Sequence, residues 1–417
     1  MPVNWIERTF QPVLTTPADQ LRLFPVWLLL GPRQVGKSSL LHRCARGHAY
    51  VNLDDLTTRE RANRDPALFV RELRPPFTID EIQYAPRLLS PIKQLVDAGD
   101  LAPGAVRLTG SQNFQMMEGV TETLAGRVAI LNLLGLSDDE KRLPRVLPPD
   151  DYFRWLLETG FPKLHGIEDR ATRDLYLSSY MQTYIERDVR ELLRIEKRRE
   201  FETFVKLCAL RTGQIVNYHS LARDANVSPA TVKDWLSVLE DGFLVKLLPP
   251  YFTNRTRRMT KSPKLYFLDA GLAAWLGGWR NAPEARLGPM GGALFETHVL
   301  ADIFKRFRHR AREVQVHFWR TRDGQEIDFL VENDGKTFPV EVKLGSPRYA
   351  ALPALDRIAE PNWRDGQIVS LVAEAEPVRL NNGWSLCSPG ALNVGAVNPP
   401  PRESSPSSGD RAATPPS

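Results

Sequence analysis

Short apolar runs alternate with helical stretches along the first third of the chain. The first run, VWLLL (26–30), ends at a glycine-rich turn, and three others end in polar residues, as buried strands do at a sheet edge: AYVNLDD (49–55), FTIDE (77–81) and AVRLTGS (105–111). The stretches between them, such as SSLLHRCA and LLSPIKQLVDA, have helical periodicity. This alternation predicts an α/β fold with a mostly parallel sheet covered by helices.

The pattern changes after the first domain, which we place at residues 1–147. Residues 148–210 are helical and charged, and they predict a helical connector. Residues 211–270 predict a smaller helix–turn–helix unit, and residues 285–385 predict a second α/β domain. The last stretch, 395–417, is rich in proline, serine and charge without apolar periodicity. It cannot bury a core, and we expect it to be disordered.

Composition narrows the class of protein without choosing a function. Hydrophobic residues make up 42% of the 417 residues and charged residues 25%, which excludes a wholly disordered or fibrous chain. The three scattered cysteines, Cys44, Cys208 and Cys387, exclude a disulfide framework and favour a reducing compartment. The sequence has no signal-peptide pattern, and no apolar run approaches the roughly 20 residues of a membrane helix. We therefore expect a cytoplasmic protein that has no membrane partner.

The most specific motif follows the first predicted strand. Residues 31–38, GPRQVGKS, match the phosphate-loop pattern G-x-x-x-x-G-K-[ST] without deviation. In such a loop the backbone N–H groups surround phosphate oxygens, the lysine reaches the β- and γ-phosphates, and the hydroxyl ligates Mg²⁺. The dipole of the following helix adds to this attraction. The residues expected to bind ATP at this loop are Gly31, Pro32, Arg33, Gln34, Val35, Gly36, Lys37, Ser38 and Ser39.

An acidic pair ends the third predicted strand and supplies the rest of an ATP-hydrolysing site. Asp80 would hold Mg²⁺ together with Ser38, and Glu81 would activate the attacking water. ATP and Mg²⁺ are therefore the expected cofactors. Hydrolysis depends on Glu81, because without it the loop could still bind nucleotide.

With these motifs in place, residues 20–145 resemble the AAA+ ATPases. The resemblance implies that a polar residue at the end of the next core strand contacts the γ-phosphate, and Ser111 fits that position, with Thr109 as the alternative. The segment TLAGR (123–127) is similar to an element of that family, which implies that Arg127 acts on phosphate in cis or in trans. A solvated charge at a helix end is the alternative for Arg127.

A helix–turn–helix pattern occupies residues 219–245. Asn226 and Val227 make the turn, Ser228 is a good N-cap, and Pro229 takes the first helical position. The following segment, TNRTRRMTKSPK (253–264), carries five basic residues and no acid, and strands flank it. This order predicts a winged helix with a basic wing. Either the unit packs between its neighbours with a solvated charged face, or basic side chains contact DNA phosphates, namely those of Lys233, Arg255, Arg257, Arg258 and Lys261.

A second group of charged residues lies near the end of the last predicted domain. Residues 324–345 predict a hairpin with its turn at Asn333-Asp334-Gly335. An amphipathic helix upstream, at 293–307, carries Glu296. The basic run KRFRHRAR (305–312) extends this helix, and we expect a solvated face, with a nucleic-acid contact as the alternative.

The ordered set of acids and a lysine in this region resembles the PD-(D/E)XK nuclease superfamily. The resemblance implies that Asp328 and Glu341 hold a second divalent metal and that Lys343 positions the nucleophilic water, with Glu296 as an accessory acid. The alternative is a nuclease-like fold used only for binding, with the same residues in a salt-bridged cluster.

The order of these units is itself informative. Apart from its tail, the chain resembles a family of prokaryotic AAA+-type ATPases fused to a winged helix and a restriction-endonuclease-like domain. The resemblance implies an enzyme that hydrolyses ATP with Mg²⁺ and couples this cycle to its C-terminal half, with double-stranded DNA as the expected partner. Two other functions stay open: an ATP-gated DNA- or protein-binding switch, and an ATP-regulated metal-dependent nuclease. A protein partner or a homo-oligomer is compatible with all three.

Overall fold

The computed structural model describes most of the chain in segments. They are residues 5–16, 19–99, 101–110, 120, 122–185, 197–251, 262–321, 324–345, 363, 366–372, 374–381 and 383–395. Among these segments, no helix has the length and apolarity that crossing a bilayer requires. The expected disordered tail at 395–417 lies outside the described residues, except for Gly395.

A five-stranded parallel sheet forms the first domain, as the alternating pattern predicts. Its strands are β1 (Val26–Leu30), β2 (Ala49–Asn52), β3 (Phe77–Asp80), β4 (Val106–Thr109) and β5 (Val128–Asn132). Their spatial order is β2-β3-β4-β1-β5, and the sequence pattern did not predict β5. The helices of this domain are α1 (Gln11–Thr15), α2 (Lys37–Cys44), α3 (Leu56–Arg64), α4 (Pro66–Glu72) and α5 (Leu89–Asp97).

The strand order brings the two ATP-site motifs to one edge of the sheet. All five strands point the same way, so the carboxyl ends of β1 and β3 open onto the same edge. Strand β4 lies between them and contributes its last residue, Thr109, to the same edge. Ligands of open α/β sheets bind in the crevice beyond the carboxyl ends of the strands.

The middle of the chain is helical and carries a small sheet. Its helices are α6 (Asp138–Lys141), α7 (Pro149–Leu157), α8 (Arg170–Tyr184), α9 (Arg198–Leu210), α10 (Tyr218–Asp224) and α11 (Pro229–Asp241). The small sheet is antiparallel, in the order β6-β8-β7, with β6 (Gln214–Ile215), β7 (Val245–Leu248) and β8 (Lys264–Phe267). Ser228 caps α11 by accepting the Thr231 N–H at 3.1 Å, and Asn226 takes the left-handed turn at φ 55°.

The last domain packs a long helix on a six-stranded sheet. Helices α12 (Ala270–Leu276) and α13 (Ala282–Leu287) lead into α14 (Gly291–Arg308), and the strands are β9 (Gln315–Arg320), β10 (Glu326–Asn333), β11 (Lys336–Lys343), β12 (Gln367–Ser370), β13 (Val378–Arg379) and β14 (Ser385–Cys387). The predicted hairpin is β10–β11, which turns through Asp334 and Gly335 at positive φ. Strand β14 pairs with β12, so the domain runs past the expected end at 385.

One apolar core connects all three regions. Buried side chains from β1, α8, α11, α14 and β11 belong to the same contiguous cluster. Because this packing is continuous, the nucleotide-binding edge and the C-terminal domain belong to one packed body. They are not separate domains joined by a flexible linker.

Candidate nucleotide site and C-terminal acid cluster

The phosphate loop owes its shape to residues with positive φ. Gly31 has φ 149°, and a Cβ placed there would lie 1.9 Å from the carbonyl oxygen of Leu133. Gln34 and Gly36 follow at φ 62° and 93°, and Gly36 is the N-cap of α2. Where right- and left-handed backbone conformations alternate, successive N–H groups point toward one centre, which is the geometry of an anion-binding nest. Gly31 is therefore fixed both by its backbone and by its contact with the residue that follows β5.

Buried groups hold the loop from inside and from behind. The Lys37 ammonium donates to the carbonyl oxygens of Gly31 at 2.9 Å and Pro32 at 2.8 Å. Behind the loop, the Arg8 guanidinium donates to the carbonyl oxygen of Val35 at 2.7 Å. Hydrogen bonds from Lys37 and Arg8 to the carbonyl groups of the loop thus hold its backbone in shape.

Asp80 lies at the end of β3 and is buried. One of its carboxylate oxygens accepts a hydrogen bond from the Tyr50 hydroxyl at 2.5 Å, and the other accepts one from the Thr109 hydroxyl. The Ser38 hydroxyl in turn bonds to the Tyr50 oxygen. Burial, followed by the bond to Asp80, raises the pKa of Tyr50, so its hydroxyl stays protonated and donates. Tyr50 therefore links Ser38 and Asp80, the two residues that the sequence assigns to Mg²⁺.

Glu81 leaves the strand in an unusual conformation. Its φ and ψ are 59° and 49°, so it is not part of β3, although the pattern predicts that the strand includes it. A left-handed non-glycine residue stores backbone strain and needs support from its surroundings. The Glu81 N–H donates to the Thr109 hydroxyl at 3.3 Å, and Gln83 donates to the Glu81 carboxylate. These bonds fix the carboxylate at the sheet edge beside Asp80.

Thr109→Val is expected to lower ATP turnover roughly 5- to 100-fold, because losing a buried hydrogen-bond partner costs about 1–3 kcal/mol. The Thr109 hydroxyl bonds both the Asp80 carboxylate and the Glu81 N–H. Steady-state ATP hydrolysis by the two proteins measures this effect. Thr78→Val is the matched control, since Thr78 is equally buried but bonds to His48 instead. Equal losses in both variants would assign the effect to packing.

Arg127 lies at the opposite edge of the sheet. It precedes Val128, which pairs with Val26 at the amino end of β1, whereas the phosphate loop follows Leu30. At ~3.3 Å per residue, the length of β1 separates the position of Arg127 from the phosphate loop by about 13 Å. The Arg127 guanidinium forms an ion pair with Asp97 through two nitrogen–oxygen contacts, at 2.5 and 3.1 Å. The structure does not bring Arg127 to the loop within this chain, and an action on phosphate stays a prediction that requires a second copy.

Of the other predicted contact residues, only some lie in the part of the chain that the structure describes. Ser111, the predicted γ-phosphate contact, lies outside the described residues, as do four of the expected DNA contacts, Arg255, Arg257, Arg258 and Lys261. The fifth, Lys233, is exposed on α11 with its ammonium 5.5 Å from the centre of the Tyr218 ring.

A buried charged network joins the ATP-binding domain to α14. Glu140 accepts from the Arg8 guanidinium at 3.1 Å and lies 3.2 Å from Nδ1 of His309. Ser137 and Glu140 also form a capping box at the start of α6. Burial opposes ionisation of Glu140, but its partners His309 and Arg8 outweigh burial and hold the pKa of this carboxyl well below its usual range. Glu140 is therefore an ionised group at the centre of the interface.

A second set of ion pairs lies on the same interface. Asp138 bonds to Nε2 of His298 at 3.0 Å and, through its N–H, to Asp302 at 2.9 Å. Arg306 completes the set with an ion pair to Asp302 at 2.5 Å. Lys305 is also buried, so the expected solvated face of residues 305–312 is wrong for this part of α14. Arg306 donates instead to the carbonyl oxygens of Pro389 and Leu392, and His309 faces Glu140 of the first domain.

Acid is expected to weaken this interface through His309. Its Nε2 accepts the Leu134 N–H at 3.2 Å, so the buried ring is neutral, with its proton on Nδ1. Burial, helped by Arg8 and Lys305 and opposed by Glu140, lowers the pKa of His309. The unfolded chain then binds more protons below about pH 6.5, and folding stability falls there by up to ~1.4 kcal/mol per pH unit.

Urea unfolding at pH 7.5 and 5.5 checks this expectation. The native chain should lose more stability between the two pH values than His309→Gln, which cannot titrate. Equal losses would mean that His309 has the same pKa in the folded and the unfolded chain, which would contradict the expectation.

The C-terminal site brings the four predicted residues together. Asp328 and Glu341 sit side by side on β10 and β11: the Asp328 N–H donates to Glu341 at 3.3 Å, and Asp328 accepts the Val342 N–H at 2.8 Å. The Lys343 ammonium lies 2.5 Å from Glu341. A β-bulge in the β9–β10 pairing surrounds Asp328, and bulges of this kind often aim side chains at functional sites.

A lysine that the sequence did not single out also enters this cluster. Lys264, from β8, has its ammonium 3.3 Å from Glu296 on α14 and pairs with Glu326. Burial and the charge of Asp328 raise the pKa of Glu296 to about 8 and that of Glu341 to about 7. Among the described residues, no three His, Cys, Asp or Glu side chains are arranged to hold a metal ion. The cluster therefore offers two neighbouring carboxylates rather than a complete metal cage.

Comparisons with known proteins divide the chain into three segments. Residues 24–141 match the family model described as AAA domain, residues 149–283 match a domain of unknown function (DUF8612), and residues 291–389 match a domain of unknown function (DUF4143). The matching curated proteins include Uncharacterized protein Rv2008c of Mycobacterium tuberculosis and Uncharacterized protein Mb2031c of Mycobacterium bovis. Each is 29% identical over 321 residues, which cover 76% of this chain and 70% of the relative.

Solved structures with similar regions include ATPases of archaea. The Walker-type ATPase paby2304 of Pyrococcus abyssi aligns at a TM-score of 0.41 and 16% identity, over 66% of this chain and 96% of its own. The STAND protein PH0952 of Pyrococcus horikoshii aligns at 0.25 and 12%, over 74% and 49%. The phosphate loop, the acidic strand end and the family match together identify residues 24–141 as an AAA-type P-loop ATPase domain that binds and hydrolyses ATP.

Proposed function

We propose that this chain is an ATP-driven switch whose hydrolysis cycle repositions its C-terminal half on double-stranded DNA. The single observation that carries the proposal is the buried connection from the phosphate loop to α14. Arg8 bonds both the carbonyl oxygen of Val35, inside the loop, and Glu140. Glu140 faces His309 at the end of α14. A change in the loop backbone would therefore act on the C-terminal domain through two buried charged contacts.

The chemistry of the ATP site follows from its own side chains. In this proposal Lys37 leaves the loop carbonyls to meet the β- and γ-phosphates, and Ser38 and Asp80 are the groups that would hold Mg²⁺. The bound cation would neutralise phosphate charge. Glu81 accepts a proton from the attacking water, with its carboxylate held by Gln83 and its backbone by Thr109.

A second contact supports coupling between the loop and the helical connector. The Tyr176 hydroxyl on α8 donates to the Gln34 side chain at the tip of the loop. Gln34 is exposed and has a positive φ, so a phosphate group entering the loop would meet it directly. The loop thus contacts the connector at its tip, and from behind it is connected to the end of α14 through Arg8 and Glu140.

Measuring ATP turnover with and without double-stranded DNA tests the proposal. Stimulation that weakens with rising salt is expected, since contacts to DNA phosphates release counterions. Lys233→Glu should reduce the stimulation without changing basal turnover, because Lys233 is exposed on α11 and far in sequence from the ATP site. Lys163→Glu is a control for charge reversal outside this unit. Unchanged turnover with no salt-sensitive DNA binding would overturn the DNA part and point to a protein partner.

A second candidate function is metal-dependent DNA cleavage. It is favoured by the meeting of Glu296, Asp328, Glu341 and Lys343, which come from three different elements. Mg²⁺ is commonly held by one or two carboxylates, with water and phosphate oxygens as its other ligands, so Asp328 and Glu341 fit such an ion. Lys343 would then orient the water that attacks the phosphodiester.

Plasmid cleavage with Mg²⁺ or Mn²⁺ separates the two candidates. Cleavage by the native chain that is lost in Lys343→Ala would support the nuclease. DNA binding without cleavage under either metal would leave the switch as the function.

A further inference from the structure

The acid cluster is assembled from two sheets that belong to different units of the chain. Asp328 and Glu341 come from the six-stranded sheet, whereas Lys264 comes from the first position of β8 in the three-stranded sheet. Tyr266, two residues further along β8, points the same way and donates to Glu296. The three-stranded sheet therefore supplies both a cation and a hydroxyl to a site that the sequence assigned to the last domain alone.

Lys264 is held as a buried ion inside this cluster. Its side chain is 6% exposed, and it pairs with Glu296 at 3.3 Å and with Glu326. Asp328 also acts on its charge: burial alone would lower the pKa of Lys264, but Glu296, Asp328 and Glu326 outweigh burial and raise it. An ammonium paired with several carboxylates in this way occupies the electrostatic position that a divalent cation needs.

The two lysines of the cluster are placed differently. Lys343 lies on the same strand as Glu341, and its side chain is 43% exposed, so it can turn toward solvent. Lys264 is enclosed, and β8 is hydrogen-bonded to β6 and β7 on either side. It can leave the acids only if its side chain takes another rotamer or β8 moves.

We propose that Lys264 is the resident cation of the acid cluster, and that a divalent cation binds Asp328 and Glu341 tightly only after the Lys264 ammonium has moved away. The proposal rests on the second candidate function, since it assumes that these carboxylates take a metal. Like charges repel most strongly where water is excluded, so the Lys264 ammonium, whose charge also acts on Asp328, opposes the binding of a divalent cation at Asp328 and Glu341.

This arrangement connects metal binding to the small sheet. Lys264 is the first residue of β8, and the predicted DNA contact Lys261 lies three residues before it in the sequence.

Binding of Mn²⁺ alone to the nucleotide-free full-length chain, followed by electron paramagnetic resonance, tests the proposal. Lys264→Met should bind Mn²⁺ at least tenfold more tightly than the native chain, and Lys264→Arg, which keeps the charge, should not. Lys246→Met is the matched control, because Lys246 lies on the neighbouring strand β7 and pairs with Glu240 outside the cluster. The gain should vanish when Asp328→Asn is added to Lys264→Met.

The possible results test the metal site and the role of Lys264 separately. Binding that Asp328→Asn abolishes but Lys264→Met leaves unchanged would overturn the role of Lys264 and keep the metal site. No saturable binding in the native chain or in any Lys264 variant would overturn the metal site and this inference together. Amine labelling of the native chain, read by mass spectrometry, covers the case in which Lys264→Met does not fold. Saturating Mn²⁺ should speed labelling of Lys264 and leave Lys246 unchanged, and equal rates with and without the metal would overturn the proposal.

Discussion

Glu81→Gln is expected to lower ATP turnover about 10²- to 10⁴-fold, the range that a positioned general base contributes. Nucleotide affinity should stay unchanged, because the phosphate loop and Lys37 lie on a different strand end and do not depend on the Glu81 charge. The amide keeps the shape of the side chain and can still accept a hydrogen bond from Gln83. The substitution therefore removes the base while leaving the local structure in place.

Two measurements separate catalysis from binding. Steady-state hydrolysis gives the turnover, and titration with a fluorescent ATP analogue gives the affinity. Glu72→Gln is the matched control, since Glu72 is an exposed carboxylate of the same domain that pairs with Arg61 at 3.2 Å. Unchanged turnover in Glu81→Gln would exclude Glu81 as the base. Loss of affinity together with turnover would instead place Glu81 in nucleotide binding.

The phosphate loop could be predicted from the sequence because its geometry is local. Gly31, Gly36 and Lys37 act through backbone angles and short contacts within eight residues, so spacing alone carries the information. The contacts of Tyr50 and Thr109 with Asp80 could not be found in this way. Each meets Asp80 from another strand, 30 and 29 residues away in sequence, and only the order and register of the sheet bring them together.

The basic run at 305–312 is a case in which the sequence pattern led to a wrong expectation. Counting charges along the sequence gave a cluster without acids, which is typical of a solvated or nucleic-acid-binding face. Two of the acids that balance this run come from a distant part of the sequence, the short helix α6: Glu140 faces His309, and Asp139 pairs with Arg310. A local count cannot reveal such partners, because they become neighbours only when the two domains pack. The same reason hid Lys264 from the acid cluster, since Glu296 is 32 residues away on another element.

These buried partners make Glu140 a residue whose loss should strongly destabilise the chain. Glu140→Ala is expected to lower the free energy of unfolding by about 3–5 kcal/mol, the cost of removing one member of a buried ion pair. It would leave Arg8 and His309 without their carboxylate. It would also leave two backbone donors, the N–H groups of Thr9 and Ser137, without an acceptor.

Urea unfolding of Glu140→Ala, Glu140→Gln and Glu376→Ala tests this expectation. Glu140→Gln keeps acceptors for the backbone donors and should lose less than the alanine variant. Glu376 also pairs with an arginine, Arg145 at 2.6 Å, but its side chain is 79% exposed, so its loss should cost less than about 1 kcal/mol. If Glu140→Ala were no worse than Glu376→Ala, the buried network would not hold α14 to the first domain. The coupling route from Val35 through Arg8 to the C-terminal half would then lose its physical basis, even if ATP hydrolysis itself were intact.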